Sequence, residues 1–277
     1  MEGQGQGQEQ GQRKDVRKTA FSNIVRCAEY SYRAPEPPVV DIQALPGTSV
    51  GPAMELEPSY QGVDPSQLTR EDLEIITRNS KQLAFDNAAR WAHGDRYAAQ
   101  AVLDYLYLGP TSAIRDHAFL TREAITMMVV VRDARMAGTL RSVDHASREL
   151  GIPVEYVRVG GRISDLMQAL PNIMGLINQH LLAVHHTQST AGRTDQEGHG
   201  ATGMRTRTET GTGTETWRPQ RGKVLLTCDS GNHHSATIAA AYLMSVYGQD
   251  LVSALQFVLL QRFSCIFDQD AKLMLRS

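Results

Sequence analysis

Val224-Leu225-Leu226-Thr227-Cys228-Asp229-Ser230-Gly231-Asn232-His233-His234-Ser235-Ala236-Thr237-Ile238 is the stretch from which the fold can be read. An apolar strand runs into a cysteine, then a tight loop containing a glycine, then an alanine-rich helix. This order of parts makes a phosphate cradle. Consecutive backbone N–H groups close around an anion, and the helix N-terminus adds the positive end of its dipole. The same field favours a nucleophilic thiolate at the start of the loop. Asp229, Ser230, Gly231, Asn232, His233 and His234 form the candidate anion-binding loop, with Cys228 at its mouth and Ser235 just inside the helix.

Working outward, the chain around this segment alternates strands and helices. Asp104–Leu108 reads as a short strand ending at Gly109-Pro110, and the apolar run Ile125–Val131 as a strand buried on both faces. A helix over Val143–Leu150 stops at Gly151 and Pro153, Val154–Val159 is a third strand, and Ile163–Val184 a long helix. Beyond the cysteine strand, Ser235–Tyr247 and Leu251–Arg262 are helices. The alternation predicts an α/β fold with a ligand loop at the carboxyl edge of the sheet. Upstream, Thr69-Arg70-Glu71-Asp72 has the form of a capping box, with Leu73, Ile76 and Leu83 at roughly helical spacing. The expected organisation is a disordered or extended region over 1–68, a helical segment over 69–100, and a domain over 101–277. A Thr-, Gly- and Gln-rich disordered insertion is expected to interrupt that domain at 187–221.

Composition sets the outer limits. A 277-residue chain with 41% apolar residues can bury a core, and a net charge of −2 argues against a general binder of nucleic acid or membrane surfaces. The three cysteines, Cys27, Cys228 and Cys265, show no paired spacing, so a disulfide framework is not expected and a reducing compartment, cytoplasmic or nuclear, is. Cys228, His233 and His234 lack the second cluster that a four-ligand zinc site requires, so neither metal nor cofactor is expected.

Four segments in order resemble the dual-specificity protein phosphatases, and within them the phosphoserine/threonine/tyrosine-interacting (STYX-like) pseudophosphatases. They are Tyr105–Pro110 downstream of Trp91, the strand Ile125–Arg132, the loop segment Lys223–Met244, and Gln261-Arg262-Phe263-Ser264-Cys265-Ile266. The resemblance implies a protein-tyrosine-phosphatase-like domain: a central, mostly parallel sheet flanked by helices, with the cysteine loop between a strand and a helix. It places Cys228 at the nucleophile position and Ser235 at the position of the hydroxyl that assists hydrolysis. The arginine that clamps the phosphate is replaced by His234, and the histidine before the cysteine by Thr227. The general-acid aspartate aligns near Gly160, where Val157–Ser164 offers no carboxylate. Asp165 reads better as a helix N-terminal charge, and Asp133 as a turn residue.

Magnitudes favour impaired catalysis. Two charge-assisted hydrogen bonds from an arginine, about 1.5–3 kcal/mol each, are equivalent to roughly a hundredfold or more in rate. A missing general acid costs a further ~10²–10⁴-fold. The reading is therefore a pseudophosphatase that binds phosphorylated or acidic protein segments and regulates signalling or turnover by competition or scaffolding. Two alternatives stay open. One is a weak tyrosine/serine/threonine phosphatase using Cys228 with His234 as its clamp. The other is an interaction protein without an anion site, in which Cys228 is a buried structural thiol and Ser235 caps the helix.

Overall fold

The computed structural model describes residues 51–59, 68–136, 138–160, 162–194 and 220–276, all within one unit, residues 50–277. The expectations for 1–50, 60–67 and 195–219 lie outside the described residues. A five-stranded sheet in the order β3-β4-β7-β5-β6 carries the fold. Its strands are β3 (Gln100–Leu103), β4 (Leu106–Pro110), β5 (Met127–Asp133), β6 (Val154–Val159) and β7 (Val224–Cys228). β3 and β4 form an antiparallel hairpin; every other pairing is parallel. The expected α/β class, with its mostly parallel sheet flanked by helices, is what the chain adopts.

β7 lies between β4 and β5 and is buried along its whole length. This explains its uninterrupted Val-Leu-Leu-Thr-Cys sequence, because a central parallel strand has no solvent face to alternate toward. One face of the sheet packs on α2 (His117–Arg122) and α3 (Arg141–Leu150) through Met128, Val130, Phe119, Val143 and Ala146. The other packs on α4 (Ile163–Thr194), α5 (His234–Tyr247), α6 (Leu251–Gln261) and α7 (Gln269–Arg276) through Val129, Val131, Leu226, Ile173, Ile238 and Phe257. Small residues at Ala236, Ala239, Ala240 and Ala241 let α5 bury nearly its whole circumference behind β7.

The N-terminal segment belongs to the same core. Leu73 and Ile76 of α1 (Arg70–Thr77) join Leu56 and Ala84 in the α4–α5 cluster. The capping box forms as expected, with Thr69 Oγ1 accepting from Asp72 N–H and the Asp72 carboxylate accepting from Thr69 N–H. Leu83 departs from its helical expectation. α1 ends where Arg78 and Asn79 turn left-handed, at φ 55° and 51°. Leu83 then falls on β2 (Gln82–Ala84), paired antiparallel with β1 (Met54–Leu56), and points outward at 42% exposure while Gln82 and Ala84 face inward.

Other boundaries shift for local reasons. Asp104 and Tyr105 form the hairpin turn before β4 instead of opening the strand, and Ile125 donates its N–H to Leu120 O to close α2 before β5 begins. Residues 187–194, expected within the disordered insertion, are helical instead. α4 continues ten residues past Val184, where no proline or glycine stops it before Gly192 and Thr187 and Ser189 bond back to Ala183 O and His185 O. At the far end Arg221 lies over the Tyr105 ring, 4.1 Å from its centroid, and pairs with Asp104 and Ile76 O.

Candidate functional site

The loop leaves β7 at the carboxyl edge of the sheet and ends at the N-terminus of α5, so its backbone lies between a strand end and a helix dipole. Cys228 is 3% exposed, and its Sγ lies 3.2 Å from Ser235 Oγ. Ser235 is fully buried and turned toward the thiol; α5 has no side-chain cap from its N-cap residue, His233. Thr227, also buried, hydrogen-bonds across the sheet from Oγ1 to Val129 O at 3.3 Å.

Gly231 makes the loop's close turn possible. It sits at φ +71°, and a Cβ there would come within 2.2 Å of Gly109 C and Pro110 N at the end of β4. Only glycine meets both demands, left-handed backbone and contact with a neighbouring main chain. Gly109 answers from the other side, since a Cβ on it would lie 2.7 Å from Ala99 Cβ.

Arg262, whose role the sequence reading missed, holds the loop from behind. It is 1% exposed and faces no carboxylate among its hydrogen-bond partners. Its Nε donates to Gly231 O and Asn232 Oδ1 at 3.1 Å each, and Nη2 to Asn232 Oδ1 and Arg96 O at 2.9 Å. Nη1 donates to Ala98 O at 2.7 Å and to Gln100 Oε1. Asn232 is thereby fixed, further held by Ser264 Oγ at 3.0 Å and by Ile266 N–H on its carbonyl at 2.8 Å. The loop shape is built from the α6 end as well as from its own sequence. Arg262 stood in the sequence as the one charge between the apolar Val258–Leu260 and Phe263; a buried arginine is recognised only once its acceptors are known. Cys265 lies in the same core, its thiol pushed up to about 12 by burial.

His234, the first residue of α5, is half-buried. Its affinity for a proton is lowered, first by burial and then by neighbouring His233, whose ring centre is 4.9 Å away. Asp229, Asp133 and Asp268 pull the other way without winning. His233 is bonded to Asp268, Nε2 to Oδ2 at 2.8 Å, and Asp268 Oδ1 also accepts from Ala271 N–H at the start of α7. Asp229 and Ser230 are exposed at the loop tip.

Position 160 holds no acid of its own, yet a carboxylate stands on it. A Cβ at Gly160 would lie 1.8 Å from Asp165 Oδ2, so the α4 residue fills that side-chain space and leans back toward Arg162 N–H at 3.4 Å. Asp133, read as a turn residue, ends β5 and binds Arg135 through both oxygens. Among the described residues no three His, Cys, Asp or Glu side chains gather as metal ligands would. No described helix is long and apolar enough to cross a membrane.

No protein-family model and no curated protein matches the chain. Among solved structures, the chain is similar to the human tyrosine phosphatase-like serine/threonine/tyrosine-interacting protein, with 16% identity, 65% of this chain and 94% of that one covered, and a TM-score of 0.42. It is also similar to the Cydia pomonella PTP-2 phosphatase, at 17% identity, 65% and 89% coverage and a TM-score of 0.44. A leucine-rich-repeat and phosphatase-domain protein of Entamoeba histolytica matches at 12% identity, 65% and 90% coverage and a TM-score of 0.41.

Proposed function

We propose that the chain is a pseudophosphatase of the dual-specificity type, which holds phosphorylated or acidic protein segments at the Cys228 loop without turning them over. It would act in signalling or protein turnover by competition or scaffolding. One observation carries the reading: the loop keeps its glycine turn and a buried arginine brace, while a histidine stands at the clamp position. Gly231 and Arg262 hold the turn of the loop that leads into the N-terminus of α5. At the clamp position stands His234, half-buried and inclined to stay neutral. A neutral imidazole donates one hydrogen bond where a guanidinium offers a charged fork. Binding can survive that exchange better than a transition state can.

A second reading, a slow phosphatase, is favoured by the 3.2 Å contact between Cys228 Sγ and Ser235 Oγ, the geometry of a nucleophile with a hydroxyl beside it. Phosphate release from a phosphopeptide panel by the wild type and by Cys228→Ser, across pH, separates the two. The pseudophosphatase reading expects no difference between the proteins. Release that needs Cys228 replaces it with the second.

A further inference from the structure

β5 is in register with β7 as far as Val130 opposite Thr227, so its last two residues, Arg132 and Asp133, run on past the level of Cys228. Side chains alternate along a strand. Val129 and Val131 enter the core that holds Cys228, Ala236 and Ile238, and Asp133 continues that row on the face where α5 begins. Its side chain is 26% exposed and accepts from Arg135 Nη2 at 2.7 Å, Nε at 3.1 Å and the backbone N–H at 2.8 Å. The Arg135 side chain is 83% exposed, with no cover to displace if it moves. His234 and Asp133 also influence one another's titration, as groups on facing elements do. Of the other charged groups around His234, Asp229 is exposed at the loop tip and Asp268 is bonded to His233.

We propose that Arg135 supplies, from the loop after β5, the guanidinium that the Cys228 loop lacks at position 234. It exchanges the Asp133 carboxylate for a phosphate monoester dianion seated on the loop. The inference rests on reading that loop as a phosphate cradle. The exchange is isosteric in its hydrogen bonds, because the fork that spans two carboxylate oxygens also spans two phosphate oxygens. It is driven by charge, since a dianion at a helix N-terminus attracts the cation more than one carboxylate does. While the site is empty, Asp133 holds the Arg135 fork in one arrangement and limits the rotamer entropy lost on binding.

Titration of inorganic phosphate, followed by phosphorus NMR, tests this on the full chain. Arg135→Ala should weaken binding by about tenfold or more, as expected for a charge-assisted bond. Arg70→Ala, which removes an exposed arginine paired with Glu74 on α1, should leave binding unchanged. Asp133→Asn should tighten binding in the wild-type background but much less in the Arg135→Ala background, a coupling that a double-mutant cycle measures. An Arg135→Ala affinity within about twofold of wild type, or equal tightening by Asp133→Asn in both backgrounds, overturns the clamp and leaves the cradle standing. No binding by the wild type overturns the cradle reading and the clamp with it. A phosphotyrosine peptide run in parallel identifies the source of the anion. Tighter binding than inorganic phosphate, with the same Arg135 dependence, assigns it to protein-borne phosphate; weaker binding assigns it to the free ion.

Discussion

Gly231 and Arg262 are thirty-one positions apart in the chain and fix the two sides of one loop. Each gives its residue type a stated task. At Gly231 a methyl group would meet the backbone of Gly109 and Pro110 while forcing an L-residue to φ +71°. The left-handed strain alone is roughly 1–2 kcal/mol, and crowding of a packed site adds about 1–3 kcal/mol. Gly231→Ala should therefore lose stability by about 3 kcal/mol in urea unfolding, and with it the anion site; a change under half that size would mean the loop yields. His234→Arg tests the clamp position. Inorganic phosphate should bind about tenfold more tightly, with only a small gain in phosphate release, because position 160 carries no side chain and the Asp165 carboxylate that fills its place is turned to Arg162 N–H. A large gain in release would show that the clamp alone was missing. The resemblance draws attention to His234 and Gly231 and includes Arg262 only as part of a matching segment without a role, whereas Asp133 reads in the sequence as a turn. Their importance depends on which acceptors and neighbours folding brings to them.

At the scale of elements, the strongest signals in the sequence came from groups whose structure is decided locally. The Thr69 capping box, the β6 span Val154–Val159 and the left-handed Gly151 at the end of α3 follow from short-range chemistry, and each is found where its residues predict. Thr69→Ala should destabilise the fold by about 1 kcal/mol. The effect should appear globally, because Leu73 and Ile76 of α1 are buried in the main core. If only local fraying near α1 changes, by hydrogen exchange, α1 is not part of the cooperative unit. Elements whose existence depends on a partner were harder to read. β3 is four residues with no β-branched residue but Val102, and becomes a strand by pairing with β4. Leu83 was misplaced because a three-residue strand against β1 gives too little alternation to outweigh the helical spacing before it.

For the whole molecule, partly buried histidines set how the fold responds to acid. His180, His185 and His234 all have proton affinities lowered below the ordinary 6.5, each mainly by burial. Their unfolded forms take up protons more readily, so stability is retained above that value and falls as pH drops through it. Asp133, held at about 2 against an ordinary 3.8, chiefly by Arg135, acts in a lower window. Its contribution is present above 3.8 and is lost as pH falls toward 2. Urea midpoints should thus decline in two stages, one beginning near the ordinary histidine value and one below the ordinary aspartate value. His180→Asn with His234→Asn should flatten the first stage only. A single transition confined to the acid range would contradict the partial burial of these rings.

On the proposed function, the Cys228 loop binds a phosphorylated segment and returns it intact. Fluorescence anisotropy with paired phosphorylated and unphosphorylated peptides, each recovered and weighed by mass spectrometry after binding, tests it most directly. Binding should require the phosphate, disappear in Gly231→Ala, and leave the peptide's mass unchanged. Equal binding of the unphosphorylated peptide, or a peptide that the wild type dephosphorylates and Cys228→Ser does not, would contradict it.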